Sequence, residues 1–346
     1  MKKILCYVHA YMGHGRDAGA ETTMANLLES VVRAGWEAEV ILTDKTVKPY
    51  VLNGVSVRPE RDGSDLVEEA DKASCLITHL ECSERVAILG KLRKIPVVQL
   101  VHNTMWQTEG YLNEGCQLAV FNSHWVREFH ESDRVDAVGV AYRTDEGTRI
   151  DFKSRVPKQW RATVLHPQVE PADYRVAHKG EYITLVNMFA SKGAAVFYQL
   201  ADLFPQEQFL AVEGGYGAQE VIQKPNVTHV PNVSDARKIY AQSKIILMPS
   251  KYESFGRVAL EAGASGIPTI AAPTPGLEEM LGPEGTFADI EDIDSWSYRL
   301  FELLYDEVKY KRAQKHARER SKLWAGERAK ETEDLMAALR AITIGR

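Results

Sequence analysis

The sequence predicts an α/β chain of two doubly wound parallel sheets in tandem. Three observations predict it. Short apolar runs of strand length recur, separated by stretches whose apolar residues fall at helical spacing, as in a parallel sheet with helices on both faces. The alternation breaks around residues 131–163 and then restarts. The length of 346 residues suits two domains on a soft scale of about 150 residues each.

The elements follow in order. Ile4 to Ala10 is the first strand, and the glycine-rich loop Gly13-His14-Gly15-Arg16-Asp17-Ala18-Gly19 follows it. Met24, Leu27, Leu28, Val31 and Val32 recur at i, i+3, i+4, i+7 and i+8, one stripe of a helix, and Gly35 stands where a C-terminal glycine cap belongs. Val40–Leu42, Cys75–Thr78, Pro96–Val101 and Leu118–Phe121 continue the strands. Residues 143–148 are polar and turn-rich, Pro157 follows, and His166-Pro167-Gln168-Val169-Glu170-Pro171 reads as a stiff linker. Alternation resumes with a strand at Tyr182–Val186, a Lys192-Gly193 loop and a helix stripe at Val196, Leu200, Leu203 and Phe204. Phe209–Val212, Lys244–Met248 and Pro268–Ala271 are further strands, and the C-terminal stretch reads as helix with Leu335, Leu339 and Ile342 apolar. The expected divisions are 1–165, 166–324 and a helical segment 325–346 that packs back on the first domain. Ligands in open α/β sheets bind beyond the C-terminal ends of the strands, so the site is expected in a cleft between the two domains.

Composition bounds the function. A hydrophobic content of 45% with 26% charged residues excludes a disordered or fibrous chain. A net charge of −6 excludes a uniformly basic nucleic-acid binder. No apolar run approaches the ~18 residues of a membrane span. The four cysteines, Cys6, Cys75, Cys82 and Cys116, form no C-x-x-C pair, which speaks against a zinc knuckle or disulfide framework and for a reducing, cytoplasmic setting. Lys2-Lys3 before Ile4–Val8 imitates a signal peptide, but the apolar stretch is short and lacks a small-x-small cleavage site, so a buried strand is the reading.

Two segments carry candidate chemistry. Gly13-x-Gly15-x-x-Ala18, with Asp44 after the next strand, matches the dinucleotide fingerprint on paper, but His9-Ala10-Tyr11-Met12 intervenes before the first glycine. The same loop reads equally as a backbone cradle for a phosphate or as a plain βα turn. In the second segment, Glu253-Ser254-Phe255-Gly256-Arg257-Val258-Ala259-Leu260-Glu261, Ser254 is expected to cap a helix running to about Ala264. Gly256 in its first turn lowers helix stability by roughly 1 kcal/mol relative to Ala, which makes sense if a ligand must approach the backbone. The two glutamates lie about 12 Å apart at helical rise, roughly the span from a sugar ring to a ribose across a diphosphate. Free N–H groups between them suit the diphosphate. An amphipathic helix with two solvated glutamates has the same spacing.

Lys251 to Ala262, with Ala264-Ser265-Gly266-Ile267-Pro268 after it, resembles the E-x7-E motif of the retaining GT-B glycosyltransferases of family 4. Gly19-Ala20-Glu21, Phe121-Asn122-Ser123-His124-Trp125-Val126, Lys192-Gly193 and Gly214-Gly215-Tyr216-Gly217 resemble further landmarks of that family, so the likeness runs along most of the chain. The resemblance implies a GT-B fold, two doubly wound Rossmann-like domains facing across a cleft, and sugar transfer from a UDP- or GDP-linked donor to a hydroxyl acceptor. It implies retention of configuration, a front-face mechanism, and no cofactor or metal, the nucleotide-diphosphate sugar being substrate. By the same resemblance, Glu253, Phe255 and Gly256 hold the donor sugar, Arg257 and Val258 lie by the diphosphate through their backbone, and Glu261 binds the ribose. Lys192 neutralises the departing diphosphate, Gly19 closes on the donor, and His102 stands near the reacting sugar. The catalytic expectation therefore names His102, Lys192 and Glu253. One departure stands out: Val186-Asn187-Met188-Phe189-Ala190-Ser191 lacks the family's arginine before the lysine loop, with Arg16 or Arg257 as substitutes.

Other features read more plainly. Asp292-Ile293-Asp294 imitates a metal motif, but Asp294 reads as a helix cap. Lys309, Lys311, Arg312, Lys315, Arg318, Arg320 and Lys322 read as a solvated face, with an anionic membrane or nucleic acid as the functional readings, and Lys91-Leu92-Arg93-Lys94 is a smaller basic cluster. Trp106, Tyr111 and Trp125 are candidates for an acceptor site, whose ligand is a glycan, lipid, protein, metabolite or modified nucleic acid. Pro231–Val233 and Met248–Ser250 are candidates for the base pocket. The rival functions are a sugar-nucleotide epimerase of the same architecture, an NAD-dependent oxidoreductase and a non-catalytic sugar-nucleotide binder.

Overall fold

The computed structural model describes residues 1–13, 19–132, 160–177, 180–215 and 217–345. Gly15, Arg16, Ala18, the polar stretch 143–148, Pro157 and Tyr216 lie outside the described residues, as does the side chain of Trp106. The chain divides into two compact units. The first comprises Met1–His9, Val31–Val164 and Asp334–Arg346, and the second Ala10–Ser30 and Leu165–Glu333.

The sheet of the first unit holds β1 (Lys3–Val8), β2 (Glu37–Leu42), β3 (Tyr50–Leu52), β4 (Val55–Pro59), β5 (Cys75–Thr78), β6 (Val97–Val101), β7 (Leu118–Phe121) and β8 (Arg161–Val164). Their spatial order is β3-β4-β2-β1-β5-β6-β7-β8, parallel except for the β3–β4 hairpin. The strands are near-continuous apolar runs because both faces of a parallel sheet are covered; Ile4, Leu5, Val8, Leu76, Ile77, Val98 and Phe121 have no exposed surface. Connecting helices are α1 (Gly19–Arg33), α2 (Asp65–Ala70), α3 (Ser83–Arg93), α4 (Trp106–Gly115) and α5 (His124–Glu131).

The second sheet holds β9 (Tyr182–Val186), β10 (Gln208–Val212), β11 (Val227–Val230), β12 (Ser243–Met248), β13 (Thr269–Ala271) and β14 (Thr286–Phe287). Its order is β11-β10-β9-β12-β13-β14, all parallel, the doubly wound order in which sequence direction reverses between β9 and β12. The helices are α6 (Pro171–Tyr174), α7 (Ala194–Leu203), α8 (Arg237–Tyr240), α9 (Arg257–Gly263), α10 (Pro275–Leu281), α11 (Ile293–Tyr305) and α12 (Glu307–Ile342). One core cluster gathers Phe197, Phe209 and Trp296, and another gathers Tyr240, Phe255 and Leu277. Among the described residues no helix is long and apolar enough to cross a membrane.

Three local readings change. Gly256, not Ser254, is the N-cap of α9, at φ +106°, and the helix ends at Gly263. A left-handed residue there turns the chain so sharply that the helix starts only at Arg257. Asp292, not Asp294, caps α11, its carboxylate accepting from the N–H groups of Asp294 and Ser295. The basic stretch of α12 is partly a clasp. Arg318 donates to the Ser265 carbonyl just past α9, and at the C-terminal end of α10 Arg320 donates to the Glu279 and Met280 carbonyls, Trp324 to that of Met280 and His316 to that of Leu281.

Candidate functional site

In a doubly wound sheet the ligand crevice forms where the strand order reverses, because the loops after the two strands flanking that point diverge to opposite faces. In the second sheet those loops follow β9 and β12. The first carries Lys192 and the second Glu253. Lys192 ends a single 3-10 turn, Ala190–Lys192, and Gly193 follows at φ +88°. A Cβ at Gly193 would stand 2.3 Å from the Pro249 carbonyl oxygen, so only glycine lets the two loops touch. The Lys251 N–H donates to the Ser191 carbonyl at 2.9 Å, zipping the loops together. The result is an ion pair: Lys192 Nζ lies 2.6 Å from Glu253 Oε1, which also accepts from Ser250 Oγ at 2.9 Å.

Backbone amides complete this end of the site. The loop 253–255 lies against α10 at Gly276, where a Cβ would come within 2.3 Å of the Glu253 carbonyl oxygen and 2.7 Å of the Phe255 nitrogen. Gly256 is backed by Leu277, 2.6 Å from where its Cβ would be. The first N–H groups of α9 have no partner within the helix, so this loop presents donors and partial positive charge.

Two turns on, Glu261 is buried, and its carboxylate is already engaged. Oε1 accepts from Arg257 Nε at 2.5 Å and Oε2 from Tyr240 Oη at 2.7 Å, while Arg257 also donates to Tyr174 Oη at 2.9 Å. Burial and the adjacent Glu261 carboxylate push the Tyr240 phenol well above its ordinary pKa. The Arg257 guanidinium is therefore turned toward Glu261 and Tyr174, with its Nη1 buried and unpartnered among the described residues. Asn187 occupies the strand end where the family's arginine was expected. It sits at φ +75°, a conformation asparagine tolerates, and its buried Oδ1, without a partner among the described residues, is 2.4 Å from where a Cβ on Gly214 would stand.

The first sheet reverses order between β1 and β5, and a feature absent from the sequence reading sits there. His102 follows β6 as expected, but it is paired with His79, which follows the adjacent β5. The rings lie 5.4 Å apart, and the Nδ1 of each is buried without a hydrogen-bond partner among the described residues. Burial lowers the pKa of His102 to about 4; burial, then His102, lowers that of His79 to about 3, so both rings are neutral at pH 7. Leu80, the next residue, adopts φ +50°, a strained conformation for a leucine. A signal existed: His79 ends an apolar run just as His102 does.

Gly19 heads α1, and among the described residues nothing lies within 4 Å of where a Cβ would be. Among the described residues, His9 to Gly13 follow β1 without entering a helix, whereas the dinucleotide fingerprint turns directly off its strand. Trp125 is half-buried against the cluster around Phe121 and Val126, a packing role.

Residues 175–320 match the family described as glycosyl transferases group 1. A stretch of 71 residues is 41% identical to a D-inositol 3-phosphate glycosyltransferase of Corynebacterium urealyticum, covering 20% of this chain and 17% of that protein. Another of 79 residues is 34% identical to O-antigen chain mannosyltransferase B of Escherichia coli, covering 23% of this chain and 20% of that protein. Whole-chain likeness is to solved structures. Anabaena HepE, in complex with UDP and glucose, has a TM-score of 0.72 at 13% identity, covering 99% of this chain and all of that one (100%). Sucrose-phosphate synthase of Thermosynechococcus elongatus has a TM-score of 0.72 at 16% identity, with both chains covered in full (100%). The fold is thus the GT-B one, two Rossmann-like α/β domains.

Proposed function

We propose that the chain is a glycosyltransferase that moves a sugar from a UDP- or GDP-linked donor to a hydroxyl acceptor with retention of configuration. The observation that carries the proposal is the pairing of Lys192 with Glu253 at the strand-order reversal of the second sheet, beside the free amides opening α9. The group 1 match over residues 175–320 supports it.

In this reading the diphosphate lies over the Gly256–Val258 amides. Lys192 turns from Glu253 to the β-phosphate, and Glu253 is left to accept from sugar hydroxyls. The bond from the anomeric carbon to the diphosphate oxygen breaks, and a bond to the acceptor oxygen forms on the same face. The acceptor proton passes to the departing phosphate oxygen. Lys192 and the amides stabilise the charge that builds there, so this chain's own groups supply the positive charge. Glu261 reaches the ribose by exchanging one of its present partners, Arg257 or Tyr240.

Thermal unfolding against nucleotide sugars, NAD and NADP, with and without EDTA, tests the proposal. A ligand at a hundred times its Kd adds about 2.7 kcal/mol, a readable shift. A shift with one UDP- or GDP-sugar, unchanged by EDTA, is expected. A shift with NAD alone overturns the proposal.

A further inference from the structure

His166 is an enclosed titratable side chain of the second unit that the proposed chemistry leaves unused, its side chain only 3% exposed. It lies between β8 and α6. Its Nδ1 is 2.5 Å from Glu331 Oε1 on α12, its Nε2 is 2.7 Å from Glu279 Oε1 on α10, and its backbone N–H donates to Glu331 Oε2 at 3.0 Å. Burial opposes the charged ring, but the two carboxylates outweigh it and hold the pKa above the ordinary histidine value. Both ring nitrogens then donate.

The faces of the ring are used as well. His166 packs against Phe255 with centroids 4.8 Å apart and against Trp324 at 4.4 Å, and Phe255 meets Trp324 edge-on at 4.9 Å. Phe255 belongs to the loop that presents Glu253 and the α9 amides. On one side that loop rests on the α10 backbone at Gly276. On the other it rests on a ring that Glu279 ties to the same α10. The loop is thus held between two surfaces of fixed separation.

We infer that His166 is a positioning residue for the donor loop, acting through Phe255 to hold the Gly256–Val258 amides where a β-phosphate and its sugar need them. The inference rests on the donor reading above. A merely space-filling side chain would not serve: the position needs a flat face for Phe255 and two N–H donors aimed at carboxylates on different helices.

Calorimetric Kd values for UMP, UDP, GMP, GDP and the matching nucleotide sugars, with Tm as a control, test it in wild type, H166N, E279Q, F255L and H166N/F255L. Ligands lacking a β-phosphate do not reach the loop. H166N is expected to weaken nucleoside-diphosphate and nucleotide-sugar binding about tenfold while leaving the monophosphate unchanged. E279Q, which keeps the ring but loosens its tie, is expected to shift binding in the same direction and carries the test if H166N does not fold. The double variant is expected to bind no worse than the weaker single. Unchanged diphosphate affinity, or an equal loss for mono- and diphosphate, overturns the inference with the donor reading intact. If wild type binds no nucleotide at all, the donor reading fails and the inference falls with it.

Discussion

Lys192 and Glu253 stand 61 positions apart in the chain and 2.6 Å apart in space. Under the proposed function, the pair stores a cation at the point where diphosphate charge is to arrive, and the acid keeps it oriented until then. Removing a charge-stabilising donor of this kind typically costs about 2.7–4 kcal/mol of the barrier. Lys192→Ala is therefore expected to lower kcat by about a hundredfold or more in a transfer assay. An unchanged kcat would remove the lysine from the chemistry. Glu253 and Glu261 could be singled out from the sequence because their spacing marks them, and Lys192 because its Lys-Gly loop resembles a landmark of the family. The partners of Glu261 could not: Arg257 is a helical neighbour, but Tyr240 and Tyr174 arrive from other elements. His79 escaped for the same reason, since its meaning lies in a neighbour on the next strand.

At the scale of elements, α12 shows why a run of like charge is ambiguous in sequence. Lys309, Lys311, Arg312 and Lys315 form surface ion pairs with Glu302, Glu307, Glu284 and Glu319. Arg318 and Arg320 instead reach carbonyls just past α9 and at the end of α10, groups left without intrahelical partners and carrying partial negative charge. Arg320→Ala is expected to destabilise the second unit by about 1–3 kcal/mol, because it strands the Glu279 carbonyl and leaves that of Met280 to Trp324 alone. Lys311→Ala is expected to leave Tm unchanged, as for most exposed pairs. Equal effects from the two would dissolve the clasp. The Gly276 contact makes another prediction. Gly276→Ala drives a Cβ into the 253–255 backbone and is expected to cost about 1–3 kcal/mol, with weaker nucleotide binding. The parallel strands were legible because both-face burial writes long apolar runs. The short edge pieces β11 and β14 bury too little to leave such a run, and the hairpin β3–β4 carried only its turn signal. That signal was present: Asn53 and Gly54 both take positive φ, at 49° and 82°, as the tight hairpin turn requires.

At the scale of the molecule, each unit has its own sheet and core, and their buried histidines respond to pH in opposite senses. In the first unit, His79 and His102 have pKa values depressed to about 3 and about 4, far below the unfolded value of about 6.5. The unfolded chain therefore binds protons first as pH falls. Stability is complete above about pH 6.5 and declines below it, by up to about 1.4 kcal/mol per pH unit for each histidine. Asp65, held well below the carboxylate range chiefly by hydrogen bonds from Arg61, adds its own loss only below about pH 5, so the histidines dominate the limb between about pH 6.5 and 5. In the second unit, His166 is raised by Glu279 and Glu331, so its contribution is complete below about pH 6.5 and is lost as pH rises through its folded pKa. Calorimetric scans from pH 4 to 9, with the two transitions resolved, are expected to show the first unit melting earlier in acid and the second losing stability toward alkali. His79→Asn is expected to flatten the acid limb and His166→Asn the alkaline one, each without altering the other. A single limb shared by both variants would mean that the units unfold together, and the two histidine environments would then set one stability curve between them.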